Sequence, residues 1–119
     1  MNIYSFEKLD VWQKAKDLTV NIYKVTSGFP DAEKFGLISQ LRRAAVMVNS
    51  NLAEGSSRTT AKDQARFYIM AYSSTVEILN QLILSKELDF LNEETYRGLR
   101  NEVEDVTAMI NRLHQSTLN

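Results

Sequence analysis

Apolar residues recur at steps of three and four along four stretches of the chain. This spacing places them on one face of an α-helix, which turns once in about 3.6 residues. The first two stretches predict helices over residues 7–27 and 34–54. Gly28 and Pro30 end the first helix, because proline cannot continue a helix, and Gly55 is predicted to end the second. The predicted core faces are Val11, Ala15, Leu18, Ile22 and Val25 in the first helix and Ile38, Leu41, Ala45, Val48 and Leu52 in the second.

Two further helices are predicted from capping residues that precede apolar stretches. Thr60, followed three residues later by Asp63, resembles a capping box and predicts a third helix that runs to about residue 87. Asn92 is the predicted cap of the fourth helix. The predicted core faces are Ala65, Ile69, Tyr72, Val76, Leu79 and Ile83 in the third helix and Tyr96, Leu99, Val103, Val106, Ile110 and Leu113 in the fourth.

The third helix carries a second apolar row beside its predicted core face. This row consists of Tyr68, Ala71, Thr75, Ile78 and Leu82. Together the two rows are wider than the apolar face that a four-helix core requires. We therefore expect the second row to lie in a subunit interface; the alternative is deeper burial of this helix within its own bundle.

The spacing and number of the helices predict their arrangement. The apolar steps average about 3.5 residues, the period at which helices pack with shallow crossing angles in bundles. Connections of five or six residues make consecutive helices run antiparallel. The predicted fold is an all-α, antiparallel up-down-up-down four-helix bundle, and residues 1–119 are predicted to form one domain.

The composition is typical of an ordered helical protein and indicates the cellular compartment in which we expect it. Hydrophobic residues make up 44% of the chain, charged residues 24%, and there is a single proline. There is no cysteine, so disulfides, thiolate zinc sites and cysteine nucleophiles are excluded. The sequence shows neither a secretory signal nor an apolar stretch long enough to span a membrane. We expect a cytoplasmic protein without a membrane partner.

Motifs that would indicate catalysis or metal binding are missing. Carboxylate-bridged metal sites in bundles use Glu-x-x-His pairs, but the only histidine, His114, has Asn111 three residues before it. A serine nucleophile would lack a base, and no glycine-rich phosphate motif is present. Residues 55–58 resemble a short anion-binding loop, with an ordinary polar turn as the alternative. The sequence predicts a protein that is not an enzyme and has no metal site or cofactor.

Charge is distributed unevenly although the formal net charge is -1. Residues 34–66 contain six basic and two acidic residues, a net charge of +4, whereas residues 67–119 have a net charge of -4. The middle of the chain is therefore the candidate region for contact with anions, and solvated helix faces with an ordinary fluctuation of sign are the alternative. The candidate nucleic-acid contacts are Arg42, Arg43, Arg58, Lys62 and Arg66.

Arginine and lysine on rigid helices suit contact with phosphate groups, and arginine offers two parallel hydrogen bonds. Lys62 and Arg66 are four residues apart and share a helix face. Arg43 has an alternative role, an ion pair with Glu54 or Glu77 inside the bundle or at a subunit contact.

Several segments resemble one protein family in the same order. These are residues 6–15, FEKLDVWQKA, residues 39–45, SQLRRAA, and residues 51–55, NLAEG. They are similar to the small four-helix-bundle proteins encoded within intervening sequences of bacterial 23S ribosomal RNA genes. The resemblance covers almost the whole chain. One departure is Asn49, where relatives commonly have a proline that would kink the second helix.

The resemblance implies a non-enzymatic bundle that assembles into a ring-like pentamer. It also implies kinship with the accessory protein of diversity-generating retroelements, which carries a positive surface and binds a reverse transcriptase. Our leading hypothesis is a homo-oligomer that binds structured RNA or DNA through its basic residues. The alternative is a scaffold that docks a partner protein, such as a reverse transcriptase, without touching nucleic acid.

Overall fold

Four α-helices account for most of the chain in the computed structural model, which describes all 119 residues. There is no β-strand, and two short 3-10 turns lie at Ser5–Lys8 and Asp31–Glu33. The helices are α1 (Asp10–Thr26), α2 (Leu37–Ser57), α3 (Ala61–Glu87) and α4 (Glu93–Leu118).

Each helix packs against the two that are adjacent to it in the bundle. α1 contacts α2 and α4, and α3 contacts α2 and α4, whereas the pairs α1 with α3 and α2 with α4 lie on diagonals. The molecule is elongated, with extents of 43 × 31 × 22 Å. This confirms the predicted antiparallel up-down-up-down four-helix bundle. None of the four helices combines the length and the apolar character needed to cross a membrane.

The predicted core faces of α1, α2 and α4 are confirmed. Val25, Ile38 and Leu113, close to the helix ends, are only half-buried, and the other predicted residues of these faces are buried. Leu91 and Phe29, in the connections, complete the same core.

The predicted core face of α3 is wrong, because the second row, and not the first, faces the core, as in the alternative of deeper burial within the bundle. The row assigned to a subunit interface is the core row, and Ile78 and Leu82 are among its fully buried members. Of the row assigned to the core, Ala65 is buried and Leu79 half-buried, and the remaining members are exposed: Ile69, Tyr72, Val76 and Ile83. We call these four residues the α3 strip. Both rows have helical spacing, so spacing alone does not decide which one faces the core.

Gly55 does not end α2, which continues to Ser57. It is buried against α3, and a Cβ atom at this position would lie 2.6 Å from Tyr68 Cε1 and 3.0 Å from Phe67 Cβ. The glycine therefore allows α2 and α3 to approach closely, which a side chain at this position would prevent. Burial raises the pKa of the Tyr68 hydroxyl at this contact.

Two of the three connections differ in length from the predicted five or six residues, whereas the α3–α4 connection, residues 88–92, agrees. The α2–α3 connection consists only of residues 58–60, and the α1–α2 connection extends over residues 27–36 and contains a 3-10 turn. Both predicted caps are confirmed. The backbone N–H of Asp63 donates to the Thr60 hydroxyl at 3.2 Å, and that of Thr95 donates to Asn92 Oδ1 at 2.7 Å.

Candidate nucleic-acid interface

The five predicted contact residues lie in two groups rather than in one patch. Arg42 and Arg43 are near the start of α2, and Arg58, Lys62 and Arg66 are at the opposite end of the bundle. Arg42 and Arg58 are separated by about 24 Å along the helix axis at about 1.5 Å per residue. The structure brings the members of each group together but not the two groups.

Arg42 is half-buried and holds the end of α1. Its Nε donates to the Thr26 hydroxyl at 2.9 Å, and one terminal nitrogen donates to the carbonyl oxygen of Tyr23 at 3.2 Å. The guanidinium also lies 4.6 Å from the centre of the Tyr23 ring. The last carbonyls of a helix lack partners within it, and a cation is favourable at that negative end. Arg42 therefore links α1 to α2.

Replacing Arg42 with alanine is expected to lower the free energy of unfolding by about 1.5–3 kcal/mol, the range for hydrogen bonds to charged groups. Arg43 is exposed and forms no hydrogen bond or ion pair in the chain, so Arg43→Ala is expected to change stability by less than about 0.5 kcal/mol. Urea unfolding followed by circular dichroism measures both variants. Equal effects of the two substitutions would contradict the structural role of Arg42.

Arg43 does not pair with Glu54 or Glu77 within the chain. It lies beside Lys34 at a pocket between the α1–α2 connection and the outer face of α2. Lys34 likewise forms no ion pair, and Phe35 beside it is 88% exposed. Lys34 and Phe35 were not predicted as contacts, because both fall within the predicted second helix, residues 34–54; a lysine followed directly by an aromatic residue was the available signal.

At the other end of the bundle, the basic residues surround one acidic residue. Asp63 lies 3.0 Å from Arg66 and 3.7 Å from Arg58, measured between side-chain nitrogen and oxygen. Both guanidinium groups also lie 4.5 Å from the centre of the Phe67 ring. Lys62 is exposed and forms no ion pair. The three cations thus keep a local positive excess, although Asp63 offsets part of it.

The anion-loop interpretation of residues 55–58 is wrong. Residues 55–57 form the last turn of α2, so their backbone is helical and does not present a loop of free N–H groups. Arg58 donates its backbone N–H to the carbonyl oxygen of Gly55 at 3.2 Å.

The charged residues are segregated across the bundle. Residues 34–66, with the positive excess, form the end of the α1–α2 connection, α2, the α2–α3 connection and the first turns of α3, and α4 carries half of the negative excess. Since α2 and α4 lie on a diagonal, the cations of α2 and the acidic residues of α4 are on different sides of the bundle. Most cations of residues 67–119 are paired with an acid. Glu93, for example, forms ion pairs with Lys86 at 2.9 Å and with Arg97 at 2.8 Å, measured between side-chain nitrogen and oxygen. Hydrogen bonds from Lys86 and Arg97 hold the pKa of the Glu93 carboxyl below its usual value.

Other aromatic and polar residues have packing roles. Trp12 is half-buried and contacts Phe6, with ring centres 5.1 Å apart. Asn49 links α2 to α1, since its Nδ2 donates to the carbonyl oxygen of Trp12 at 3.1 Å and its Oδ1 accepts from the Thr19 hydroxyl at 3.0 Å. Asn49 thus stands within an uninterrupted helix and ties the two helices together.

His114 is half-buried. It lines a groove of about 680 Å³ between the start of α3 and the end of α4, together with Ile69 and Leu118. No group of three or more histidine, aspartate or glutamate side chains is arranged to hold a metal ion.

Comparison with known proteins places this fold in a family. A crystal structure of a protein with unknown function from the S23 ribosomal protein family of Bacteroides thetaiotaomicron VPI-5482 is similar, with a TM-score of 0.82 and 17% sequence identity. The match covers 88% of this chain and 95% of that one, and at this identity it shows the fold alone. No curated protein matches the sequence. The 23S rRNA-intervening sequence protein family matches residues 7–112. The chain therefore belongs to the family of 23S rRNA-intervening sequence proteins.

Proposed function

We propose that this protein is a non-enzymatic, cytoplasmic homo-oligomer that associates with structured RNA or DNA through the cations of α2 and the start of α3. The observation that carries the proposal is the distribution of charge, with a net charge of +4 over residues 34–66, from the end of the α1–α2 connection to the start of α3, and the acidic α4 diagonal to α2. A one-sided positive field attracts a polyanion even when the net charge is close to zero.

The pairing pattern supports contact with phosphate groups. Lys34, Arg43 and Lys62 are exposed and have no carboxylate partner, so they are free to bind an external anion. Arg58 and Arg66 share the single carboxylate of Asp63. Arg42 contributes indirectly, because it fixes the start of α2, on which Arg43 stands.

The proposed oligomer would combine these modest surfaces. The α3 strip leaves four large apolar side chains exposed along one helix, a pattern typical of interaction surfaces. We propose that the strip packs in the subunit interface and, from the family resemblance, that the assembly is a pentamer. Several copies bound to one nucleic acid gain affinity through their high effective concentration.

The proposal is tested by removing the charge of the cations that have no carboxylate partner and of those that share Asp63. The variant with Arg43, Arg58, Lys62 and Arg66 changed to glutamine is expected to bind labelled structured RNA at least about tenfold more weakly at low salt. Glutamine removes charge without adding a repulsive acid beside Asp63. A matched control changes Lys14, Lys16, Arg97 and Arg112 to glutamine, with the same change in net charge on α1 and α4. Equal binding by the two variants would show that the position of the charge is irrelevant and would reject the proposal.

A second candidate function is a scaffold for a partner protein, favoured by the α3 strip alone. In this case the strip and the acidic α4 would dock the partner, and the basic residues would have no role in recognition. A pull-down that returns one protein, unaffected by nuclease treatment and lost when Val76 is changed to aspartate, would favour this candidate.

A further inference from the structure

The pocket beside Arg43 combines aromatic and basic side chains. It has a volume of about 540 Å³, within the usual range for binding pockets. Its lining includes Tyr23 from α1, Lys34 and Phe35 from the α1–α2 connection, and Ile38, Arg43 and Met47 from α2. We call it the loop pocket. None of its nine lining residues is acidic.

Phe35 is the most exposed aromatic residue of the chain. With 88% of its surface exposed, it contributes almost nothing to the core of its own bundle. Exposed apolar surface costs about 25 cal/mol per Å², so an aromatic ring held in water is more stable when another group covers it. The Lys34 ammonium, 5.6 Å from the ring centre, is the cation that contacts this ring. Because most of Phe35 is exposed, a flat partner can reach its ring.

The charge of the loop pocket selects an anionic partner. Lys34 and Arg43 have no carboxylate partner in the chain. Glu33, the nearest acid in sequence, points to the start of α2, where its Oε1 accepts from the backbone N–H of Leu37 at 3.2 Å. Glu33 forms no ion pair with Lys34 or Arg43.

A flat group beside a negative charge is what an unpaired nucleotide presents. Aromatic rings stack on bases without regard to sequence, while lysine and arginine follow the phosphates. A duplex hides the faces of its bases within the stack and offers only phosphates and groove edges. An exposed phenyl ring is of little use to a protein that binds only duplex.

We propose that the loop pocket binds unpaired nucleotides of single-stranded RNA or DNA, with a base stacked on Phe35 and the adjacent phosphates bound by Arg43 and Lys34. This inference rests on the proposed association with nucleic acid and specifies its substrate class. It locates the specificity for single strands at the start of α2 and leaves Arg58, Lys62 and Arg66 as contacts to phosphate alone.

The test compares wild type, Phe35→Ala and Phe35→Trp with two labelled probes, a single strand of about 12 uridines and an RNA duplex of the same length. Phe35→Ala is expected to weaken binding of the single strand about tenfold or more and to leave duplex binding within about twofold. Phe35→Trp, which keeps a stacking surface, is expected to retain single-strand binding. Because Phe35 is exposed, thermal unfolding of the variants should match that of wild type.

The outcomes separate this inference from the proposed function. If Phe35→Ala binds the single strand as tightly as wild type, the loop pocket does not bind bases, although the proposed function stands if both probes still bind in a salt-sensitive way. If wild type binds neither probe at low salt, both ideas fail. The mass in solution is measured in parallel, and a smaller assembly of Phe35→Ala with unchanged binding would assign the pocket to a second copy of the chain and overturn the inference.

Discussion

Gly55→Ala is expected to destabilise the protein by about 1–3 kcal/mol, although alanine is the better helix former. The added Cβ atom would stand 2.6 Å from Tyr68 Cε1, a separation that requires the ring or a helix to move. Tyr68 is buried in the core, so a shift of its ring also disturbs the closely packed residues around it. The larger Gly55→Val is expected to destabilise the protein further. Urea unfolding followed by circular dichroism measures the effect.

Gly98→Ala is the matched control for this substitution. Gly98 also lies within a helix, α4, but it is exposed and a Cβ atom there would have no neighbour within 4 Å. The substitution is expected to stabilise the protein by about 0.5–1 kcal/mol, because alanine loses less backbone entropy than glycine. The two identical changes should therefore have opposite signs. A stabilising Gly55→Ala would contradict the close approach of α2 and α3.

The double variant Val76→Asp and Ile83→Asp is expected to dissociate the proposed oligomer into monomers of 13.6 kDa. In the isolated chain both side chains are exposed, and the variant should fold as wild type does. In an interface each aspartate would be buried without a partner, at a cost of several kcal/mol. Light scattering coupled to size-exclusion chromatography measures the mass.

A control for charge places the same two substitutions on α4, at Asn101 and Gln115, both exposed and outside the strip. This variant is expected to keep the mass of wild type. The α3 strip is not the subunit interface if the Val76 and Ile83 variant also keeps the wild-type mass, or if wild type itself is a monomer.

The arrangement of helices was predictable because three of them have a single apolar face. On α1, α2 and α4, apolar residues at steps of three and four identify the buried side directly. On α3 both rows have this spacing, and the choice depends on which row meets α2 and α4. That information is tertiary: Tyr68 packs closely against α2 at Gly55, a contact that the spacing of α3 alone does not reveal.

The residue types of the candidate interface were predictable, but their roles were not. Adjacent arginines in a helix look equivalent in the sequence, yet they point in different directions, because neighbours are separated by about 100° around the axis. Arg42 consequently meets the end of α1, whereas Arg43 meets solvent. The involvement of Asp63 with both Arg58 and Arg66 could not be read from charge counts, which treat all carboxylates alike.

The central claim is that the positive surface of α2 and α3 binds nucleic acid. The salt dependence of binding tests this claim most directly. Purified protein is titrated into labelled structured RNA and into duplex DNA from low to physiological salt, with its mass determined under the same conditions. We predict that the protein binds as an oligomer. The logarithm of its association constant should fall linearly with the logarithm of the salt concentration, and on duplex DNA the slope should be about -0.9 for each phosphate neutralised. No binding at low salt, or an affinity that does not change with salt, would contradict the claim.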